Sequence, residues 1–208
     1  MREIDWYFDP ISPYAYLALT ELHTLAPLAR VRMRPVLFAG LLGHWDNVGP
    51  AEIPPKRVWT YRFCAWQAAQ KGIPFRCPAS HPFNPLPWLR LATALEGEET
   101  AVRRIFEAVW ATGEDPSDAT RAYALARELG VDPECLGDPA IKERLRAETD
   151  AAAARGVFGV PSLLIDGEVF WGADALEFAR AFLEEPRLMQ QPDMQVGDVP
   201  IAAVRRHR

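Results

Sequence analysis

The sequence predicts an α/β fold in which strands from the two ends of the chain share one mixed sheet. Three observations support this prediction. A strand–helix–strand pattern occupies roughly the first 38 residues, an all-helical pattern fills about a hundred residues after it, and a strand–turn–strand–helix pattern follows residue 156. Parallel strands at the front and a hairpin at the back can lie in one mixed sheet that helices cover.

The first unit begins with residues 4–8, a short aromatic-rich strand that ends at Asp9-Pro10. Residues 14–26 place apolar side chains at helical spacing and are stopped by Pro27. Residues 30–37 alternate apolar and basic side chains, which predicts a second strand. Together these elements form a βαβ unit with a right-handed crossover.

The middle of the chain changes character at residues 40–55, which are rich in Gly and Pro. Helices are predicted beyond it, each bounded by Gly, Asp-Pro or Ser-Asp signals, at residues 55–70, 88–95, 100–111, 118–129 and 139–155. We therefore expect residues 46–155 to form an all-helical domain inserted after the second strand.

The last unit returns to strand signals. Asp166-Gly167 separates two apolar runs, which predicts a hairpin with a type I′ turn, and residues 173–183 predict a closing helix. Residues 186–208 are polar and are expected to be an irregular tail or an arm that packs on a partner subunit. The order βαβ, helical block, ββα is typical of a thioredoxin-like fold, with residues 1–45 and 156–185 as its discontinuous core domain.

Composition, charge and residue spacing argue against several classes of function. A net charge of -5 argues against non-specific nucleic-acid binding. The charged start runs directly into a strand and no long apolar segment follows, so we expect no signal peptide, no membrane contact and a cytoplasmic location. The three cysteines, Cys64, Cys77 and Cys135, are widely separated and are read as structural thiols. The histidines lack metal-ligand spacing, so no metal is expected.

Ser12 is the main candidate for chemistry. Redox members of the thioredoxin-like fold carry Cys-x-x-Cys at this helix start, where one thiolate is stabilised. Here the positions read Ser12-Pro13-Tyr14-Ala15, so the protein cannot exchange disulfides there itself. A helix N-terminus with a serine N-cap favours an anion, and we expect a thiolate from a second molecule. A serine that only caps the helix is the alternative.

Two further motifs favour a thiol ligand. Val160-Pro161 directly precedes the hairpin and is a candidate cis peptide, and in thioredoxin-like folds the residue before this proline offers its backbone to a bound cysteine. Ala173 and Asp174 begin the last helix, where backbone amides can bind a carboxylate and the Asp an ammonium group. Glutathione carries both groups on its γ-glutamyl end. A trans proline, and an Asp that only favours the helix dipole, are the alternatives.

These motifs resemble the 2-hydroxychromene-2-carboxylate isomerase family, relatives of kappa-class glutathione transferases and DsbA-type oxidoreductases. The resemblance extends over about residues 3–185. In the family's order, the matching pieces are residues 9–16, Asn47 with residues 54–57, residues 72–75 leading to 81–85, residues 159–162 and residues 170–174.

The resemblance implies a glutathione-dependent isomerase that interconverts 2-hydroxychromene-2-carboxylate and trans-o-hydroxybenzylidenepyruvate, a step in bacterial naphthalene breakdown, and that acts as a homodimer. Ser12 would be the catalytic residue that hydrogen-bonds the glutathione sulfur. The residues implied to bind glutathione are Val160, Pro161, Ala173, Asp174, Asn47 and Lys56, and those implied for an aromatic or other electrophilic substrate are Tyr14, Trp59, Asn84 and Trp88.

One departure from the family pattern concerns the substrate side. The family has a Tyr and then an Asp after the Lys-Arg pair, whereas this chain has Trp59 and Phe63. Two other functions fit the same motifs. One is a kappa-like glutathione transferase, in which the conjugate leaves as product. The other is a non-catalytic DsbA-like protein that binds thiols or peptides.

Overall fold

A computed structural model describes residues 1–195 and contains one four-stranded sheet with the order β2-β1-β3-β4. β1 (Arg2–Phe8) pairs in parallel with β2 (Ala29–Pro35) and antiparallel with β3 (Ser162–Ile165). β3 pairs antiparallel with β4 (Glu168–Trp171). Strands from both ends of the chain thus share one mixed sheet, which confirms the predicted fold class.

The helices also follow the predicted order. Their bounds are α1 (Pro13–Leu19), α2 (Phe38–His44), α3 (Pro54–Gln70), α4 (Leu86–Ala94), α5 (Glu99–Trp110), α6 (Ala119–Glu128), α7 (Pro139–Ala154) and α8 (Leu176–Glu184). The hairpin turn is as predicted, because Asp166 and Gly167 both have positive φ, at 52° and 93°. Among residues 1–195, no helix is long and apolar enough to cross a membrane.

Three local expectations differ from the structure. α1 ends at Leu19 and not at residue 26, because the Thr20 hydroxyl donates to the Leu17 carbonyl at 2.7 Å and competes with the helical ladder. Leu22–Leu25 forms a separate 3₁₀ turn. α2 overlaps the Gly- and Pro-rich residues 40–55, where the sequence predicts no helix, since its two glycines obscure the helical pattern. The predicted tail contains two 3₁₀ turns, and its residues 196–208 lie outside the described part.

The largest core cluster joins the sheet to the helical block. Trp6 and Phe8 of β1 are buried on one face of the sheet and stack at 5.0 Å between ring centroids. Phe8 also packs on Phe106 of α5 at 5.7 Å. The same cluster contains buried residues of α4 and α6. The helices between β2 and β3 therefore pack directly on the sheet, and the proposed domain boundaries stay a prediction.

The opposite face of the sheet holds a charged clamp near the end of α7. Burial alone would raise the pKa of Asp5, but hydrogen bonds from Arg34, Arg32 and Arg155 hold that pKa below its ordinary value. Arg155 donates to Asp5 at 3.0 Å and to the Tyr7 hydroxyl at 2.8 Å. Because Arg155 directly follows α7, the clamp fixes where the chain enters the loop before Pro161.

We expect Gly97→Ala to destabilise the fold by more than about 2 kcal/mol. Gly97 has φ +69°, and a Cβ there would lie 2.0 Å from the Met33 carbonyl oxygen of β2. Gly130→Ala is a matched control, since Gly130 has φ +76° but open space around it. We expect that control to cost about 1 kcal/mol. Denaturant unfolding measures both, and equal losses would contradict the argument.

Candidate functional site

Ser12 occupies the N-cap position of α1, as predicted. Its Oγ accepts a hydrogen bond from the Ala15 amide at 3.2 Å, and Pro13 takes the first helical position. The residue is 7% exposed. The hydroxyl also donates to the Val160 carbonyl, but at 3.5 Å, which is long for an O–H···O bond. The proton of the Ser12 hydroxyl is therefore only weakly engaged.

The loop before β3 brings its backbone to Ser12. The Val160-Pro161 peptide is cis, which confirms the prediction from the sequence. The Val160 carbonyl faces the Ser12 hydroxyl, and within residues 1–195 the Val160 amide donates no hydrogen bond. The Pro161 carbonyl accepts from the Gly172 amide at 2.9 Å, which ties this loop to the end of β4.

The turn after β4 lies at the same end of α1. Gly172 has φ +105°, a conformation that side chains rarely adopt, and leads into the 3₁₀ turn Ala173–Ala175 that packs against α1. Burial raises the pKa of the Tyr14 phenol, and the nearby charge of Asp174 adds to the effect. The structure therefore brings Ser12, Tyr14, the Val160 backbone and the turn with Asp174 together.

The segment before Ser12 is tied down by side-chain contacts that the sequence did not predict. The Asp9 carboxylate accepts from the amides of Ile11 and Phe38, both at 2.9 Å. The Trp110 indole of α5 donates to the Pro10 carbonyl at 2.8 Å. In the sequence, the Asp9-Pro10 pair predicts only the end of a strand. Nothing in the local pattern distinguishes it from an ordinary turn residue.

Asp9 is fully buried, and no cation neutralises its charge among the described residues. Burial raises the pKa of Asp9 to about 7, against the opposing effect of the two amide hydrogen bonds. A buried carboxyl of this kind makes the stability of the site sensitive to pH near neutrality.

We expect Asp9→Asn to change the pH dependence of stability. Because folding raises the Asp9 pKa from 3.8 to about 7, the folded state binds more protons between these pH values, and stability falls as pH rises through them. The variant lacks this titration. Its free energy of unfolding, relative to wild type, should therefore improve by about 2–4 kcal/mol from pH 4 to pH 7. Urea unfolding across that range tests it, and a constant difference would contradict it.

The side of Ser12 on which substrate is expected is formed by α1 and α3, which run side by side in the same direction. Tyr14 lies against Phe63 with ring centroids 6.5 Å apart, and Leu17 packs further along against Cys64 and Ala68. The N-terminal half of α3 is therefore beside Ser12. Trp59 is 64% exposed and stacks on Phe63 at 5.6 Å and 12°. We call Tyr14, Trp59 and Phe63 the aromatic strip.

Two residues implied to bind glutathione lie on exposed segments. Lys56 is exposed in the first turn of α3, and Asn47 is exposed after α2 with its Oδ1 accepting from the Val48 amide. The Trp45 indole donates to the Val157 carbonyl at 3.0 Å, which holds the Asn47 segment near the loop before Pro161. No hydrogen bond joins Asn47 or Lys56 to Ser12 in the described chain, and their roles stay predictions.

Two expected substrate residues take structural positions. Trp88 is fully buried and its indole donates to the Pro116 carbonyl at 2.9 Å, so it belongs to the core and offers no surface to a substrate. The prediction for Trp88 is therefore wrong. Asn84 is exposed, and its Oδ1 accepts from the Leu86 amide at the start of α4. A substrate role for Asn84 stays a prediction.

The protein's own thiols are unsuited to the site's chemistry. Cys64, Cys77 and Cys135 are all free, and burial raises the pKa of Cys64 to about 12. Burial also raises the pKa values of the other two. In residues 1–195, no group of three His, Cys, Asp or Glu side chains could hold a metal ion. A thiolate at Ser12 would have to come from a ligand.

Comparison with known proteins defines the class. A model of the DSBA-like thioredoxin domain matches residues 3–184, and the chain therefore belongs to that family. Similar proteins include 2-hydroxychromene-2-carboxylate isomerases and kappa-class glutathione transferases. The isomerase of Sphingobium xenophagum is 32% identical over 194 residues, which cover 88% of this chain and 98% of the relative.

Two more comparisons agree with this placement. The kappa 2 glutathione transferase of Caenorhabditis elegans is 28% identical over 209 residues, covering 89% of this chain and 93% of that protein. The solved structure of a 2-hydroxychromene-2-carboxylate isomerase superimposes with a TM-score of 0.79 at 27% identity, covering 92% of this chain and 98% of that one. The family expected from the sequence is confirmed.

Proposed function

We propose that this protein is a glutathione-dependent isomerase of 2-hydroxychromene-2-carboxylate or of a related aromatic substrate. The observation that supports it most is the weakly engaged Ser12 hydroxyl, buried beside the Val160 backbone in a chain 32% identical to such an isomerase. Bound glutathione would supply a thiolate that adds reversibly to a conjugated alkene, so that the former double bond can rotate before the thiolate leaves.

The Ser12 hydroxyl is suited to stabilise that thiolate. α1 has only seven residues, so its dipole is small and the side-chain donor matters more. The hydroxyl can turn its proton from the distant Val160 carbonyl to a sulfur anion at little cost. A donor fixed in a buried site lowers the pKa of a thiol more than one in water.

The backbone of Val160 suits an extended thiol peptide. It presents a carbonyl and an unused amide, and the cysteinyl residue of glutathione carries the complementary N–H and C=O. Asp174 is exposed next to Tyr14, where it could accept from the γ-glutamyl ammonium. The residues present therefore fit glutathione.

The aromatic strip suits a flat substrate next to the sulfur. Trp59 presents a largely exposed indole at the Ser12 end of α3, and Lys56 lies one turn earlier as a cation for a carboxylate. Trp59 and Phe63 occupy the places where the family has a Tyr and an Asp, so the preferred substrate here is more apolar than the family's. The homodimer, the cytoplasmic location and the absence of nucleic-acid or membrane partners rest on the resemblance and on composition.

A kappa-like glutathione transferase is the second candidate, which the 28% identity to the Caenorhabditis elegans enzyme favours. Both activities need the same activated sulfur. Assays with the chromene substrate and with a chlorinated dinitrobenzene, each with and without glutathione, distinguish them. Chromene turnover that is independent of glutathione would contradict the proposed function. Glutathione binding without turnover would leave the non-catalytic thiol-binding alternative.

We expect Ser12→Ala to lower kcat roughly ten- to a thousand-fold, because it removes one preorganised donor to the sulfur. Glutathione affinity should change little, since backbone groups supply most of the binding. Calorimetric titration and steady-state kinetics measure the two quantities. Ser117→Ala, on an exposed loop, is the control and should match wild type. An unchanged kcat in Ser12→Ala would favour the non-catalytic alternative.

Trp59→Ala should raise KM for the aromatic substrate about three- to tenfold, because it removes a stacking surface next to Ser12. Trp66→Ala is the matched control: Trp66 is 58% exposed and also stacks on Phe63, at 6.0 Å, but lies two turns further from the Ser12 end of α3. Its KM should stay within about twofold. If the two variants raise KM equally, the aromatic strip does not bind substrate.

A further inference from the structure

His81 contacts the peptide that carries Ser12, although 70 residues separate it from Ile11. Its Nε2 lies 2.7 Å from the Ile11 carbonyl oxygen. That carbonyl belongs to the peptide bond whose nitrogen is the Ser12 amide, and the amide donates to the Asp9 carbonyl at 3.0 Å. Both polar atoms of the Ile11–Ser12 peptide are therefore engaged, which fixes the plane from which the Ser12 side chain projects.

The two hydrogen-bond partners of the imidazole define the tautomer of His81. Because a carbonyl oxygen can only accept, Nε2 carries the proton. Nδ1 then has a free lone pair, and the Tyr61 hydroxyl lies 2.7 Å from it and donates. Burial lowers the pKa of His81, the hydrogen bond to Ile11 opposes this, and the charge of Arg57 adds to the lowering. The imidazole is accordingly neutral near pH 7.

Packing prevents the imidazole from turning away. Its ring lies 5.3 Å from the Trp110 ring and 5.9 Å from the Phe83 ring. Trp110 also donates to the Pro10 carbonyl, so two consecutive carbonyls before Ser12 are held by side chains from the helical block. Neither His81 nor Tyr61 is among the residues expected to touch glutathione or substrate.

We propose that His81, oriented by Tyr61, is a positioning residue that fixes the Ser12 hydroxyl by donating from Nε2 to the Ile11 carbonyl. This inference rests on the proposed function of Ser12. A catalytic donor must be held to a fraction of an ångström, and a displacement of about 1 Å can cost a hundredfold in rate. The three hydrogen bonds to the segment before Ser12, from His81, from Trp110 and to Asp9, supply that restraint.

Two substitutions distinguish the effect of losing the Nε2 hydrogen bond from the effect of losing the imidazole ring. The amide nitrogen of His81→Gln can reach the position of Nε2, whereas that of His81→Asn reaches only the position of Nδ1. We expect His81→Asn to lower kcat about ten- to a hundredfold and to raise the thiolate pKa of bound glutathione, with its affinity within about twofold of wild type. His81→Gln should restore most of both properties. His23→Asn, in the exposed turn Leu22–Leu25, is the control.

The measurements are steady-state kinetics, ultraviolet titration of the bound thiolate and urea unfolding. A kcat and a thiolate pKa in His81→Asn equal to those of wild type would overturn the proposal. Equal losses in the Asn and Gln variants, in step with lost stability, would assign His81 a purely structural role and overturn it too. If wild type binds glutathione without turnover, the proposed function fails, and the thiolate titration still decides the role of His81.

Discussion

The structure depends on how the three residues before α1 are held. Pro10, Ile11 and Ser12 connect the central strand to α1, and the hydrogen bonds that hold them come from four other parts of the chain. Asp9 ties this segment to the start of α2, and Trp110 ties it to α5. His81 ties it to the loop before α4, and the Val160 carbonyl in the loop before β3 accepts from the Ser12 hydroxyl. The Ser12 hydroxyl is thereby fixed at the meeting point of the sheet and the helical block.

The proposed function requires a DsbA-like fold without an active-site cysteine to use the thiol of a ligand. The fold keeps the cis proline next to the start of α1, and a serine hydroxyl stands where the redox members carry a cysteine thiol. Because a short helix has only a small dipole, stabilisation of the thiolate depends mainly on the Ser12 hydroxyl, and the Val160 backbone binds the cysteinyl residue. In the proposed complex the Ser12 hydroxyl turns its proton from the Val160 carbonyl to the sulfur, and the cysteinyl N–H of glutathione takes its place at that carbonyl.

Sequence reasoning succeeded where local chemistry determines structure. Ser12 at an N-cap, the cis peptide at Val160-Pro161 and the Asp166-Gly167 turn each depend on residues adjacent in the chain, and all three are confirmed. The order of strands and helices followed from hydrophobic periodicity. The end of α1 was misplaced because a threonine hydroxyl competes with the helix, a local effect that apolar spacing does not reveal.

Contacts between residues that are far apart in the chain could not be predicted from the sequence. Trp110 and Pro10 are 100 residues apart, and no spacing rule connects an indole on one helix to a carbonyl at a strand end. Trp88 illustrates the opposite error: a tryptophan on a helix looks the same in sequence whether it faces a pocket or the core, and here it is fully buried. Only the packed fold distinguishes Trp88 from the exposed Trp59.

In the proposed function Ser12 stabilises a sulfur anion that the protein does not itself carry. The decisive measurement is a crystal structure of the protein soaked with glutathione. We expect the glutathione sulfur within hydrogen-bonding distance of the Ser12 Oγ, and the cysteinyl backbone paired with the Val160 amide and carbonyl. Glutathione bound elsewhere, or a sulfur turned away from Ser12 toward solvent, would contradict it.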